Sequence, residues 1–207
     1  MSRYLILLFL SIQLLMSLTS AAELSCEYKT NTDWWAINNV YFCDQDTDLF
    51  VTKFNSNLTG VNGRHSNGKS NSDVIGYRVY EKRLHYFPAK LSNFFPNLEF
   101  IAIWDAELME IRQRDLAPFT DLRILSIWKN KLETLEKNLF KFKTKLEYIG
   151  LGQNRIKFVD GRIFNHLKNL YSLHFDGNVC ASRQVGDDKH EVWDLVEEIE
   201  DQCTNLW

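Results

Sequence analysis

Ser126, His174 and Asp176 are the residue types of a nucleophile, a base and an acid, and Tyr80, Trp104 and Trp128 are types that dominate binding hot spots. The three aromatics recur every 24 residues, and Ser126 precedes His174 by 48. If 24 residues make one coil with one strand, the aromatics stand on adjacent strands. Ser126 and His174 are then two strands apart, roughly 10 Å. Proton transfer needs contact at about 3 Å. No nucleophile elbow, phosphate loop or zinc spacing is present, and His85, His166 and His190 are isolated. The chain therefore reads as non-enzymatic, with no metal and no cofactor.

The 24-residue unit has its own support. Val74, Leu98, Leu122 and Leu146 open four complete blocks, and Leu170 opens a fifth. Positions one, four, six, eleven and fourteen are apolar in all four complete blocks, from Val74, Tyr77, Val79, Leu84 and Phe87 to Leu146, Ile149, Leu151, Ile156 and Val159. With 45% of residues apolar, chance agreement at all these places is about one in ten million, so the repeat is real.

Leu122-x-x-Leu125-x-Ile127-x-x-Asn130-x-Leu132 and Leu146-x-x-Ile149-x-Leu151-x-x-Asn154-x-Ile156 follow the pattern L-x-x-L-x-L-x-x-N-x-L throughout. On these residues the chain resembles the leucine-rich repeat family over roughly residues 74–180. Its flanking cysteine segments look like the caps of extracellular members. The resemblance implies an α/β repeat fold, a solenoid with a parallel concave β-sheet of five repeat strands, an N-terminal cap and a C-terminal helical cap. It also implies a ligand on the concave face. Asn130, Asn154 and Asn178 share the ninth position, where a side-chain amide can satisfy buried backbone groups. Lys82 and Ala106 depart from that pattern, which predicts a weak edge at the first two blocks.

Side chains alternate along a strand, so positions three, five and seven face the concave side. Phe100, Ile124 and Tyr148 occupy position three. Ala102, Ser126 and Gly150 occupy position five, and Tyr80, Trp104 and Trp128 position seven. Small residues between two apolar columns describe an open trough. Arg78, Asp105, Lys129 and His174 form a charged rim, with Glu81 and Asp176 nearby. An exposed aromatic face of this kind approaches 600 Å², the upper end of what a monomer leaves uncovered.

Residues 1–22 read as a secretory signal peptide, with Arg3, an apolar run from Tyr4 to Leu18 and small residues at Ser20-Ala21-Ala22. The run is short for a bilayer span, which needs about 20 residues. No later stretch is apolar enough, so no integral membrane segment is expected after cleavage. Residues 23–73 read as an N-terminal cysteine cap and hairpin, 74–179 as the repeats and 180–207 as a disulfide-linked helical cap. Five stacked strands separate the chain's ends by roughly 19 Å, whereas a disulfide needs Cα atoms within about 7 Å. The expected pairs are Cys26–Cys43 and Cys180–Cys203. Trp34 and Trp35 read as cap core, and Phe50-Val51 and Leu58 to Val61 as short strands. Gly63 to Ser72 reads as a solvated hairpin tip, or else as a loop closing over one end of the concave face. Val192, Leu195, Val196, Ile199 and Cys203 recur at helical spacing. Asn57-Leu58-Thr59 is an N-glycosylation acceptor.

The formal net charge is −3, and removing a leader with one basic residue and no acid makes it one unit more negative. No basic excess favours nucleic acid as a partner. These features together predict a secreted, extracellular recognition module that binds a protein or peptide ligand. Members of the family often serve in innate immune recognition or cell-surface adhesion. Two other readings share the same face: a homodimer that covers it with a second copy, and carbohydrate binding on the aromatics.

Overall fold

A computed structural model describes the backbone of residues 22–34, 37–186 and 188–204, with side chains within 22–31, 37–186 and 188–204. Ala22 is the one residue of the expected leader inside this range, and the side chains of Trp34 and Trp35 lie outside it.

Strands β1 (Ala22–Trp34) and β2 (Ile37–Gln45) form an antiparallel pair, and β3 (Leu58–Asn62) pairs parallel with the start of β1. The repeats supply β4 (Gly76–Tyr80), helix α1 (Leu91–Phe94), β5 (Phe100–Trp104), α2 (Gln113–Leu116), β6 (Ile124–Ser126) and β7 (Thr134–Leu135). They continue through β8 (Tyr148–Gly150), β9 (Phe158–Val159) and β10 (Ser172–His174). The chain then forms β11 (Gln184–Val185) and helix α3 (Lys189–Thr204). One sheet runs β11-β10-β8-β6-β5-β4-β2-β1-β3. Its five repeat strands are parallel and in phase, so Gly76, Phe100, Ile124, Tyr148 and Ser172 lie side by side. The sheet is longer than the repeats alone predict, because β2 adds a sixth parallel strand at the N-terminal side. Phe50 and Val51 are not a strand; Val51 tucks into the core and Phe50 is exposed.

Each strand turns positions one, four and six into one core, where Val74, Tyr77, Val79 and their counterparts in later coils are fully buried. Positions eleven and fourteen return to the same core from the convex side. The asparagines then satisfy the backbone between coils. Asn154 Nδ2 donates to the carbonyls of Ile127 (2.7 Å) and Leu151 (3.0 Å), and its Oδ1 accepts from Leu132 N–H (3.1 Å). Asn130 and Asn178 repeat the arrangement one coil away on either side. At Ala106 the small side chain is fully buried, and Leu84 N–H donates directly to the Ala106 carbonyl at 2.8 Å. The first coil therefore satisfies this N–H through main chain, where Leu108, Leu132 and Ile156 of the later coils use a side-chain amide.

Position eight shows a second regularity. Glu81, Asp105, Lys129, Gln153 and Gly177 all adopt left-handed backbone, with φ between 50° and 68°. The N–H groups of Glu81, Asp105, Lys129 and Gln153 donate to the position-seven carbonyls of the next coil: Trp104, Trp128, Gly152 and Asp176, at 2.7–3.2 Å. This turn recurs at the same position of every coil and holds the rim in line.

Both ends are closed by disulfides, Cys26–Cys43 and Cys180–Cys203, each with Cα atoms 5.1 Å apart. In α3, Val192, Leu195, Val196, Ile199 and Cys203 cover the last coil, and all are buried. The segment from Gly63 to Ser72 is solvent-exposed, as expected of a solvated tip, except at His65 and Asn71, which pin it to the N-terminal cap. His65 stacks on Tyr28 with ring centroids 3.8 Å apart and hydrogen-bonds both Tyr41 Oη (3.0 Å) and Asn71 Oδ1 (2.9 Å). It therefore covers the cap and not the concave face.

One core position breaks the apolar rule. Phe95, Phe119 and Leu167 share a convex-side column at 24-residue spacing, and Lys143 fills the remaining place at 1% exposure. Its Nζ donates to the carbonyls of Phe119 (2.8 Å) and Ala117 (3.2 Å) in the preceding coil.

Candidate functional site

The concave face is not the open trough that the columns predict. Phe100 and Ile124 are fully buried, and Tyr148 is 7% exposed. They form a second apolar cluster with Ala102 and with Ile37, Val40 and Phe42 of β2. Phe42 pairs with Gly76, so the part of β2 before it extends beyond the start of β4. Asn39 is left-handed there (φ 55°). A Cβ on Gly76 would stand 2.8 Å from Phe42 Cβ and 2.9 Å from Val40 Cγ1. Position three of the first coil is thus left without a side chain, and β2 fills the space. Phe100, Ile124 and Tyr148 are corrected from ligand contacts to the floor beneath the chain's own hairpin.

Gly76→Val tests this packing. Phe42 Cβ cannot retreat without moving β2, so overpacking should lower unfolding stability by about 1–3 kcal/mol. The tryptophan emission of the variant should shift as the cluster around Trp104 opens. Equal urea midpoints for wild type and variant would show that β2 does not seat there.

What stays accessible is the position-seven ridge. Tyr80 is 48% and Trp128 40% exposed, with Trp104 half-buried between them. Tyr80 and Trp104 meet edge to face, ring centroids 6.3 Å apart at 83°. Along the rim, Lys129 Nζ donates to Asp105 Oδ2 at 2.5 Å. That bond holds the Lys129 pKa above its usual value. A hydrogen bond to Glu81 likewise raises that of Tyr80. Arg78 is drawn away from the ridge. Its Nε and Nη2 fork onto Asp44 of β2 at 2.7 and 2.5 Å, and Lys29 adds a contact at 2.8 Å. Burial pushes the Asp44 carboxyl up, but the hydrogen bonds from Arg78 and Lys29 outweigh it and leave the pKa below normal. Arg78 therefore anchors the hairpin.

A polar chain crosses four strands beneath the ridge. Trp104 Nε1 donates to Ser126 Oγ at 2.8 Å, Ser126 bonds the Tyr148 hydroxyl, and Tyr148 Oη meets His174 Nδ1 at 3.3 Å. An indole N–H can only donate, so Ser126 Oγ accepts from Trp104, and the donor between Tyr148 and His174 is set by the imidazole tautomer. Burial pushes Tyr148 up to about 12. Burial also lowers His174, against a smaller opposing effect of Asp176. Ser126 is 3% exposed and already accepts from Trp104, so its oxygen has no approach to a substrate. The Asp176 carboxylate lies over the bare backbone of Gly152, beside the edge of Trp128.

The sequence brought Tyr80, Trp104 and Trp128 together on one ridge and Asp105 beside Lys129. It did not reveal Asp44 as the partner of Arg78, or the hairpin as the cover of Phe100. The one available signal was Gly76, the single position-three residue without a side chain.

Residues 120–179 match the family model for leucine rich repeats. No curated protein matches the chain. Among solved structures, it is similar to a chain of the Toll–Spätzle complex, described as a hub in Drosophila development and innate immunity. Identity is 18% and TM-score 0.48, over 58% of this chain and 17% of that one. It is also similar to a chain of the TLR13–ssRNA13 complex, at 19% identity and TM-score 0.44 over 52% of this chain and 18% of that one. This chain thus spans under a fifth of the length of either. With its 24-residue coils, in-phase parallel sheet and helical C-terminal cover, the protein has the fold of a leucine-rich-repeat solenoid.

Proposed function

We propose that this chain is a secreted, non-enzymatic recognition module that holds a protein or peptide ligand against Tyr80, Trp104 and Trp128. The observation that carries the reading is the exposure of Tyr80 and Trp128 on a sheet face whose other large apolar groups are covered. Trp and Tyr offer large, rigid contact area and are the types on which binding energy concentrates. The ridge is also preorganised, since Trp104 is fixed by Ser126 and the rim by its left-handed turns. Asp105, Lys129 and His174 lie along its edge as polar contacts. An extracellular setting is supported by two disulfides, which persist where thiols are oxidised. Among the described residues, no helix is long and apolar enough to cross a membrane. In that setting Asn57, which is exposed, carries a glycan.

The test is a screen of the purified chain against displayed extracellular proteins, followed by titration of any partner with wild type and with Tyr80→Ala/Trp128→Ala. Each truncation should weaken binding by about 2 kcal/mol, roughly 30-fold, with unchanged circular dichroism. A partner that binds the double variant as tightly as wild type would remove the ridge from consideration. A wild-type dimer that becomes monomeric in the variant would identify the ligand as a second copy.

A further inference from the structure

The convex side of the third and fourth coils carries a depression of about 450 Å³ that the ridge does not explain. It forms where the return segment of the third coil divides its side chains. Leu139, Phe140 and Lys143 turn into the core, and Phe140 packs on Phe164 of the next coil at 5.5 Å between centroids. Lys137, Lys141 and Phe142 are left outside. The next coil adds Ile163, Arg162 and His166 to the opposite wall. Among the described residues, this lining contains four basic side chains and no carboxylate.

Phe142 is the informative residue. Its ring is 70% exposed, and its backbone is left-handed at φ 67°. A bulky side chain is disfavoured in that conformation, and an exposed ring forgoes burial. The fold does not demand phenylalanine there, since the equivalent places hold Pro118 and His166. Lys141 Nζ stands 4.9 Å from the centre of the ring. His166 Nε2 contacts the Phe140 carbonyl at 2.8 Å, which fixes its ring in the wall. Arg162 lies 3.5 Å from Glu200 and is held at the far margin. Two lysines therefore stand beside the exposed ring of Phe142, with the buried Ile163 beneath the depression. Strained, solvent-facing groups of this kind persist where they serve a site.

We propose that this depression binds a small anionic amphiphile. Its carboxylate, sulfate or phosphate head would lie against Lys137 and Lys141, and its alkyl or aromatic body against the exposed Phe142 ring. The volume is in the range of small-molecule sites, and the charge and the apolar wall complement such a ligand together. The site is independent of the ridge, which lies on the concave sheet.

Octyl phosphate below its micellar concentration is the probe, titrated into the full chain by calorimetry beside octanol and octyltrimethylammonium. Saturable one-to-one binding of the phosphate alone is expected. Lys137→Glu/Lys141→Glu should weaken it at least about tenfold. Phe142→Gly should weaken it similarly while holding or raising the melting temperature, because glycine accepts φ 67° without strain. Tyr80→Ala/Trp128→Ala should leave it unchanged, which separates this site from the proposed ridge. Equal binding of octanol or of the cation would overturn the proposal, as would indifference to the lysine reversals. Binding to anionic vesicles without binding to the monomeric probe would overturn it in favour of a membrane surface.

Discussion

Replacing Asn154 with leucine should destabilise the chain by about 3–5 kcal/mol, the largest loss expected from one uncharged substitution in the repeats. The reason is what leucine leaves behind. Leu132 N–H and the Ile127 carbonyl both rely on the Asn154 amide and lie in the dry interior between coils. Each orphaned buried group costs about 1–3 kcal/mol. The Leu151 carbonyl is spared, because Asn178 Nδ2 also reaches it at 2.9 Å. Asn178 provides the contrast: it is only half-buried, so water can replace much of its amide, and Asn178→Leu should lose about 1 kcal/mol. Urea unfolding of the two variants checks the order. Equal losses would show that the amides do not act through buried backbone.

Raising the pH should stabilise the wild type relative to Lys143→Met. Burial lowers the Lys143 pKa from its ordinary 10.5 to about 8, against a weaker opposing effect of Asp121. The sign follows from proton counting. Below about pH 8 both folded and unfolded chains hold the proton, and the fold carries the whole penalty of a charge in its core. Between the two pKa values the unfolded chain binds more protons, so stability rises with pH. Above 10.5 the penalty is gone. The stability difference between wild type and variant should therefore move in favour of lysine by up to about 3 kcal/mol from pH 7 to 10.5. Taking the difference cancels the other lysines and tyrosines that titrate in this range. A flat difference would mean that the ammonium reaches water. At neutral pH the methionine variant also loses the bonds to the Phe119 and Ala117 carbonyls, which offsets part of its relief.

The repeat, the parallel sheet, the asparagine amides and the apolar face of α3 were legible because each is a periodic demand on residue type. Val74, Leu98, Leu122 and Leu146 announce a core whatever the rest of the chain does. The occupancy of the concave face was not legible for a different reason. Whether Phe100 meets ligand or Val40 depends on where the hairpin lies, and no period in the sequence encodes that. The same columns fit an open trough and a filled one. Lys143 lay in plain view, three steps of 24 residues among Phe95, Phe119 and Leu167, and reading that column would have exposed it. The predicted weak edge at Ala106 illustrates the opposite error. A missing amide is not a missing bond there, because the small side chain lets the main chain supply the partner of Leu84 N–H directly.

The left-handed row from Glu81 to Gly177 separates two properties that most protein surfaces entangle. Each of the first four positions obtains its backbone conformation and its bond to the next coil without using its side chain. Acid, acid, base, amide and hydrogen follow one another there at one character per coil. The row therefore behaves as a line of text on a fixed page. Its first four letters can be exchanged while the solenoid that displays them stays as it is.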